Sequence, residues 1–236
     1  MPARPEDSFR RLSDFSADLA HELRTPISNL MTETQVAISK ARSADQYREV
    51  LYSNLEEYER LARMIADMLF LVKADNRVIV PSSEMVDLAA EARALFGFYE
   101  AFAEEQGVSL ALTGAGVVQG DRLMIRRALS NLLSNAIRHT PRDGSVKVRI
   151  EQRKSGETRL AVENPGEDIE PQHLPRLFDR FYRVDPSRQK ASEGAGLGLA
   201  ITKSIVDAHE GTIEAFSSNG LTRFTITFPA AAGAGL

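Results

Sequence analysis

The sequence predicts two unlike parts: an α-helical hairpin, followed by an α/β (α+β) sandwich domain whose mostly antiparallel sheet carries helices on one face. Three observations predict this. Apolar residues recur every three or four positions up to about Val72, as on helices packed along a stripe. The helical pattern stops between Asp75 and Pro81. Beyond it, Val146, Val148 and Ile150 alternate with Lys147, Arg149 and Glu151, the period of a half-buried strand, and helical segments lie between such runs. The expected division is 1–78 for the helical part and 79–236 for the mixed part.

In the first helix the stripe is Phe9, Leu12, Phe15, Leu19, Leu23, Ile27 and Leu30. Ser43-Ala44-Asp45-Gln46 has the form of a capping box and opens a second helix. There Leu51, Leu55, Tyr58, Ala62, Ile65, Leu69 and Val72 alternate spacings of four and three, a heptad seam. Two such helices carry more apolar stripe than one hairpin hides, so a homodimer closing a four-helix bundle is expected, with a monomeric hairpin packed on the second domain as the alternative. In the second part, residues 87–106 read as a helix ending at Gly107, and Val108 to Leu112 as a short strand. Gly120-Asp121 opens a helix running to His139, and Ser155-Gly156 turns the chain into a strand over Leu160 to Glu163. A further helix ends at His209, before Gly211, and Phe224, Ile226 and Phe228 alternate with threonines as the last strand.

The composition narrows the chemistry. With 43% apolar residues in 236, the chain can build a real core. A net charge of −4, with Lys and Arg scattered, argues against nucleic acid as a partner. There are no cysteines, and the four histidines are too dispersed for a zinc pattern, so no structural transition metal is expected. No apolar run approaches the roughly 20 residues that span a bilayer, and MPARPEDSFRR has no signal-peptide core. A cytoplasmic fragment without membrane contact is expected.

His21 falls off the apolar stripe of its helix. It lies two residues from both Leu19 and Leu23, roughly 200° around the axis, while Thr25 at i+4 shares its face. An exposed neutral imidazole is an available nucleophile, and the adjacent Glu22 can fix its tautomer and take up the released proton. Pro26 removes one helical hydrogen bond at a cost of about 3 kcal/mol. Taken alone, a His-Glu pair reads as an ordinary polar face.

The helix from Asp121 to His139 has an apolar face at Ile125, Leu129, Leu132 and Ala136. Arg127, Asn131, Asn135 and Arg138 or His139 line another face. Asparagine competes with the helical backbone for hydrogen bonds, so two of them one turn apart call for a reason. A side-chain carbonyl completing a Mg²⁺ shell is one; a surface pair is the other. Further on, GAGLGLA places Gly194, Gly196 and Gly198, with Leu197 between them, just before a helix. Bare backbone amides and a helix N-terminus suit phosphate there. No strand runs directly into the motif and no lysine follows it, so neither a dinucleotide fold nor a P-loop accounts for it.

The ordered set of ELRTP, NLLSNAIRHT, VENPGEDI, LPRLFDRFYRVD and GAGLGLAITKSIVDAHEG resembles the catalytic core of the bacterial sensor histidine kinases, over nearly the whole chain. The wording of ENPG and FDRFYRVDPSR resembles the heavy-metal (copper, silver) subgroup. The resemblance implies a dimerisation and phosphotransfer domain followed by an ATP-binding domain of the histidine kinase/Hsp90-like ATPase type. It implies ATP and Mg²⁺ as cofactors, autophosphorylation on His21, and transfer to an aspartate of a response regulator. Glu22 is then the assisting base, and Thr25 orients water in a reverse phosphatase reaction. Asn135 holds Mg²⁺ with help from Asn131, and Arg138 and His139 lie near the phosphates where the family commonly has Lys-Tyr. Phe178 and Phe181 anchor a lid built from a helix over 171–174 and the stretch 185–193. Arg183 reaches the nucleotide, and Gly194, Gly196, Leu197 and Gly198 line its phosphate end. Asn164, before Gly166, stands where most of the family has an adenine-binding aspartate; its amide oxygen accepts the same bond without charge. Full-length relatives imply a protein anchored in the bacterial inner membrane. Two rival readings remain at this stage: a nucleotide-binding dimeric scaffold without transfer, and an ATPase or serine kinase sharing the ATP fold.

Overall fold

The computed structural model describes residues 5–76, 78–184 and 196–230, and for residues 5–18 and 21 it describes the backbone alone. The chain divides into two compact units, Met1–Leu69 and Phe70–Leu236.

The first unit is built from α1 (Pro5–Ile38) and α2 (Ala44–Asp75), which runs on into the second unit. The capping box forms in both directions: the Gln46 N–H donates to Ser43 Oγ at 3.2 Å, and the Ser43 N–H to Gln46 Oε1 at 3.1 Å. Two donors otherwise orphaned at the helix start are thereby satisfied. Leu30, Ala37, Met64 and Met68 are buried along the hairpin, with Asn54 among them donating to Thr34 Oγ1 at 3.2 Å. The heptad seam of α2 is left outside: Leu55 is 53% exposed and Leu69 57%, and Leu51, Tyr58 and Ile65 are exposed as well. On α1, Ile27 and Met31 are also exposed. A two-helix hairpin has one internal interface, so a helix with apolar residues on more than one side must leave a stripe uncovered.

In the second unit, a five-stranded sheet has the order β2-β4-β5-β7-β6, from β2 (Ser109–Ala115), β4 (Ser145–Gln152), β5 (Thr158–Pro165), β6 (Thr212–Ser218) and β7 (Leu221–Phe228). The β2–β4 pair is parallel and the others antiparallel. The parallel pair follows from the connection, since α4 (Arg122–His139) provides the crossover between those strands. A second sheet joins β1 (Glu84–Asp87) to β3 (Val117–Gly120). The sequence patterns had not marked β1, β3 or β6: the first two have four residues each, too few for a period to show, and β6 is an edge strand.

One sheet face holds the core. Val146, Val148, Leu160, Val162, Phe224 and Ile226 are buried there with Leu129, Leu132, Leu133 and Ile137 of α4. The helices α3 (Leu88–Gln106), α4 and α5 (Gly198–Ala208) share that burial. Asp87 caps α3 by accepting from Ala89 and Ala90, and Gly107, at φ +68°, ends it in the left-handed region that glycine adopts freely.

Candidate functional site

On α4 the buried side is Ile125, Leu129, Leu132 and Ala136. The turn-by-turn spacing therefore presents Asn131 and Asn135 on a half-buried flank, with Arg138 and His139 exposed at the end. Asn131 reaches α5: its Nδ2 donates to the Gly198 carbonyl at 3.0 Å and to Thr202 Oγ1 at 3.5 Å. The amide predicted to assist a metal is thus used to hold the start of the next helix. Asn135 has no hydrogen-bond partner among the described residues. Its carbonyl, one turn beyond Asn131, is open to a hard cation, and Asn131, bonded through Nδ2 alone, keeps its Oδ1 as a second acceptor.

The far end of α4 meets the loop after β5. A Cβ on Gly166 would lie 2.9 Å from the His139 carbonyl oxygen, so only glycine lets these backbones approach. Asn164 is 3% exposed and donates through Nδ2 to the Pro165 carbonyl at 3.0 Å. That bond sets the amide orientation, because the reversed amide would oppose two oxygens, and it leaves Oδ1 as the acceptor without a partner among the described residues. Three hydrogen bonds tie the loop to the β6–β7 hairpin. The Gly166 N–H donates to the Gly220 carbonyl at 3.0 Å, the Ile169 N–H to Ser217 Oγ at 2.9 Å, and the Gly220 N–H to Asp168 Oδ1 at 2.8 Å.

The third component is the turn into α5. Gly196 has φ +70°, and a Cβ there would stand 3.0 Å from the Phe181 carbonyl carbon. The Phe181 N–H donates to the Gly196 carbonyl at 3.2 Å, with Phe181 itself at φ +59°. Leu197 is buried and occupies the N-cap position of α5 without a side-chain cap, in contrast to the aspartates capping α3 and α4. Among the described residues no side chain caps the first amides of α5, and the positive end of a helix favours an anion. Gly198 packs on Asn131. The structure therefore sets the loop 164–166 and the turn 196–198 at two points of one helix, near His139 and Asn131, roughly 12 Å apart along its axis.

The expected lid helix over 171–174 is not there: the chain makes a turn and then a short 3₁₀ helix, Leu174–Arg176. Pro175 within three residues of its start permits a tight turn and discourages a longer α-helix. Phe178 packs edge-on against Phe224 at 6.3 Å, and Tyr182 is held by His173 Nδ1 at 2.5 Å and by Arg176 stacked 4.3 Å over its ring. Arg183 is half-buried. Gly194 and the stretch 185–193 lie outside the described residues.

In the first unit, α1 continues through Pro26, so His21 and Thr25 are one turn apart on a single helix. Glu22 is half-buried, Thr25 exposed and Pro26 buried; the His21 side chain lies outside the described residues.

The spacing of motifs had no means of finding Asp168, Ser217, Ser82 or the full role of His209, whose partners are distant in sequence. Asp121 caps α4 through Met124 and also accepts from the Ser82 hydroxyl at 2.8 Å and the Ser82 N–H at 3.2 Å. Burial pushes its carboxyl up, but the hydrogen bonds from Met124, Ser82 and Leu123 outweigh this and hold it below the ordinary carboxylate value.

Two family models match the chain: the His Kinase A (phospho-acceptor) domain over residues 11–77, and the histidine kinase-, DNA gyrase B- and HSP90-like ATPase over 120–232. The sensor histidine kinase CusS of Escherichia coli (strain K12) is 56% identical over 231 residues, covering 98% of this chain and 48% of that protein. The chain thus spans about half the length of the curated relatives it matches. Among solved structures, histidine kinase AdeS of Acinetobacter baumannii superposes with a TM-score of 0.74 at 26% identity, over 90% of this chain and 98% of that one. Histidine kinase ThkA, solved in complex with the response regulator TrrA, gives 0.76 at 21% identity over 96% of this chain and 64% of that one, a likeness of fold.

Proposed function

Because the chain belongs to the sensor histidine kinases and resembles their heavy-metal subgroup, we propose that it transfers the γ-phosphoryl group of ATP to His21 and then to an aspartate of a response-regulator receiver domain. The observation that carries the nucleotide half is the convergence on α4: an Asn135 with no partner among the described residues, a Gly166 with no room for a Cβ, a Gly196 at positive φ, and a helix start whose N-cap residue gives no side-chain cap. These groups have the donor and acceptor chemistry that a nucleoside triphosphate and its cation call for.

Bound ATP·Mg²⁺ supplies the phosphoryl group and neutralises charge that builds up on it. The chain's own residues do the rest. Asn164 Oδ1 accepts from the adenine amino group, and Gly166 gives the base its close backbone approach. Asn135 offers its carbonyl to Mg²⁺, while Arg138, His139 and Arg183 supply donors near the phosphates. Gly194, Gly196, Leu197 and Gly198 bring backbone amides and the start of α5 to the terminal phosphate. His21 is the nucleophile, Glu22 takes its proton, and Thr25 holds water for the reverse, phosphatase reaction. The exposed stripes of α1 and α2 support a homodimer closed as a four-helix bundle. The response-regulator partner rests on the family and on the ThkA complex with TrrA.

Incubation with Mg²⁺ and γ-labelled ATP tests this. The expected product is an acid-labile, base-stable label that is absent in His21→Ala and in Asn135→Ala. Nucleotide binding without any label in the wild type would favour a non-catalytic scaffold instead. A label persisting in His21→Ala would refute the phosphoacceptor assignment.

A further inference from the structure

His209 enters the sequence pattern as no more than the end of a helix, yet the structure uses both of its ring nitrogens. It is 8% exposed, its Nδ1–H donates to the Ile205 carbonyl at 2.7 Å, and its Nε2 accepts the Asp121 N–H at 2.9 Å. The partners decide the tautomer, because a carbonyl can only accept and an amide N–H can only donate. The ring stands edge-on to Phe228, and a Cβ on Gly120 would come within 2.4 Å of His209 Cδ2, so the cavity is shaped around this imidazole.

The placement matters because α5 is pinned to α4 at both ends. At its start, Asn131 bonds the Gly198 carbonyl; at its end, His209 takes the N–H of Asp121, the residue that caps α4. A helix held at one end can pivot, whereas one held at both ends of its 11 residues keeps its axial position. The first residues of α5 carry the turn 196–198, and α4 carries Asn135.

We propose that His209 is a positioning residue for the nucleotide site: its bond between the start of α4 and the end of α5 holds the glycine turn at a set distance from Asn135. The role rests on the nucleotide reading above. His209 does not touch the nucleotide; it acts through the register of the two helices that do.

Two polar variants of the full chain separate the two bonds. His209→Asn keeps a donor for the Ile205 carbonyl and loses the Asp121 bond. His209→Gln keeps an acceptor at the reach of Nε2 and loses the Ile205 bond. Each variant gives up one hydrogen bond, so their thermal midpoints should fall by similar amounts. The KM for ATP in autophosphorylation, measured well below both midpoints, should rise roughly tenfold in His209→Asn. It should stay within about twofold of wild type in His209→Gln, with kcat little changed in both. A wild-type KM in His209→Asn, or equal rises in both variants, would overturn the positioning role and leave the kinase reading intact. A wild-type chain that binds no ATP would overturn the underlying reading, and this role with it.

Discussion

Replacing Asp121 by alanine tests how the second unit holds the start of α4. The side chain makes one capping bond to Met124 and accepts two from Ser82. Losing the cap costs about 1 kcal/mol. Ser82 is exposed and its bonds compete with water, so each adds about 0.5 kcal/mol, the low end for a hydrogen bond. The sum, about 2 kcal/mol, corresponds to roughly 4–8 °C in the melting temperature of a unit of this size. The loss should also depend on pH. A carboxyl held low in the folded state binds its proton more tightly when unfolded. Its stabilisation is therefore complete above the ordinary value of 3.8 and is lost as the pH falls below that, through the folded value. Thermal melts followed by circular dichroism should show the full gap between wild type and Asp121→Ala at pH 7, closing below about pH 4. Equal midpoints at pH 7, or a gap that stays constant or widens on acidification, would refute the reasoning.

Two glycines should respond in opposite ways to alanine. Gly97 lies within α3 with nothing within 4 Å of an added Cβ, so Gly97→Ala should stabilise by about 1 kcal/mol, seen as a higher melting midpoint. Gly196 has a positive φ and Phe181 against its Cβ position, so Gly196→Ala carries a left-handed strain of about 1–2 kcal/mol. ATP-dependent labelling should then fall roughly tenfold while His21 itself is unchanged. In the first unit, Leu55→Lys with Leu69→Lys places charge on the exposed seam; sedimentation should show a dimer for wild type and a monomer for the double variant. A double variant that still sediments as a dimer would place the contact elsewhere.

The helical pattern of the first part was legible because each helix repeats its apolar positions over several turns, and the Ser43–Gln46 box formed as its residues predict. The helices α3 and α4 were legible from local signals too, Gly107 after the first and Asp121 before the second, whereas Asp87, read as the first residue of α3, proved to be its cap. What the pattern missed was short or at an edge, as with β1, β3 and β6, whose pairing rather than period makes them strands. The lid helix failed for a related reason, since Pro175 and a few polar residues admit several turns and only packing selects one.

The site divides along the same line. Residue types and their spacing marked Asn131, Asn135, Gly196 and Gly198, because asparagine in mid-helix and glycines clustered before a helix are local departures from ordinary preference, whereas Asn164 and Gly166 were marked by the family resemblance alone. Their roles relative to one another could not be read in one dimension. Tertiary structure alone used Asn131 to hold α5, clasped the Gly166 loop with Asp168 and Ser217, and joined Asp121 to His209 across 88 positions of chain. The sequence by itself determined which side chains and bare backbones were available, since those are properties of single residues and their neighbours. Only the fold decided which hydrogen bonds they form, because a donor and an acceptor far apart in the chain meet when the core has packed and removed water from between them.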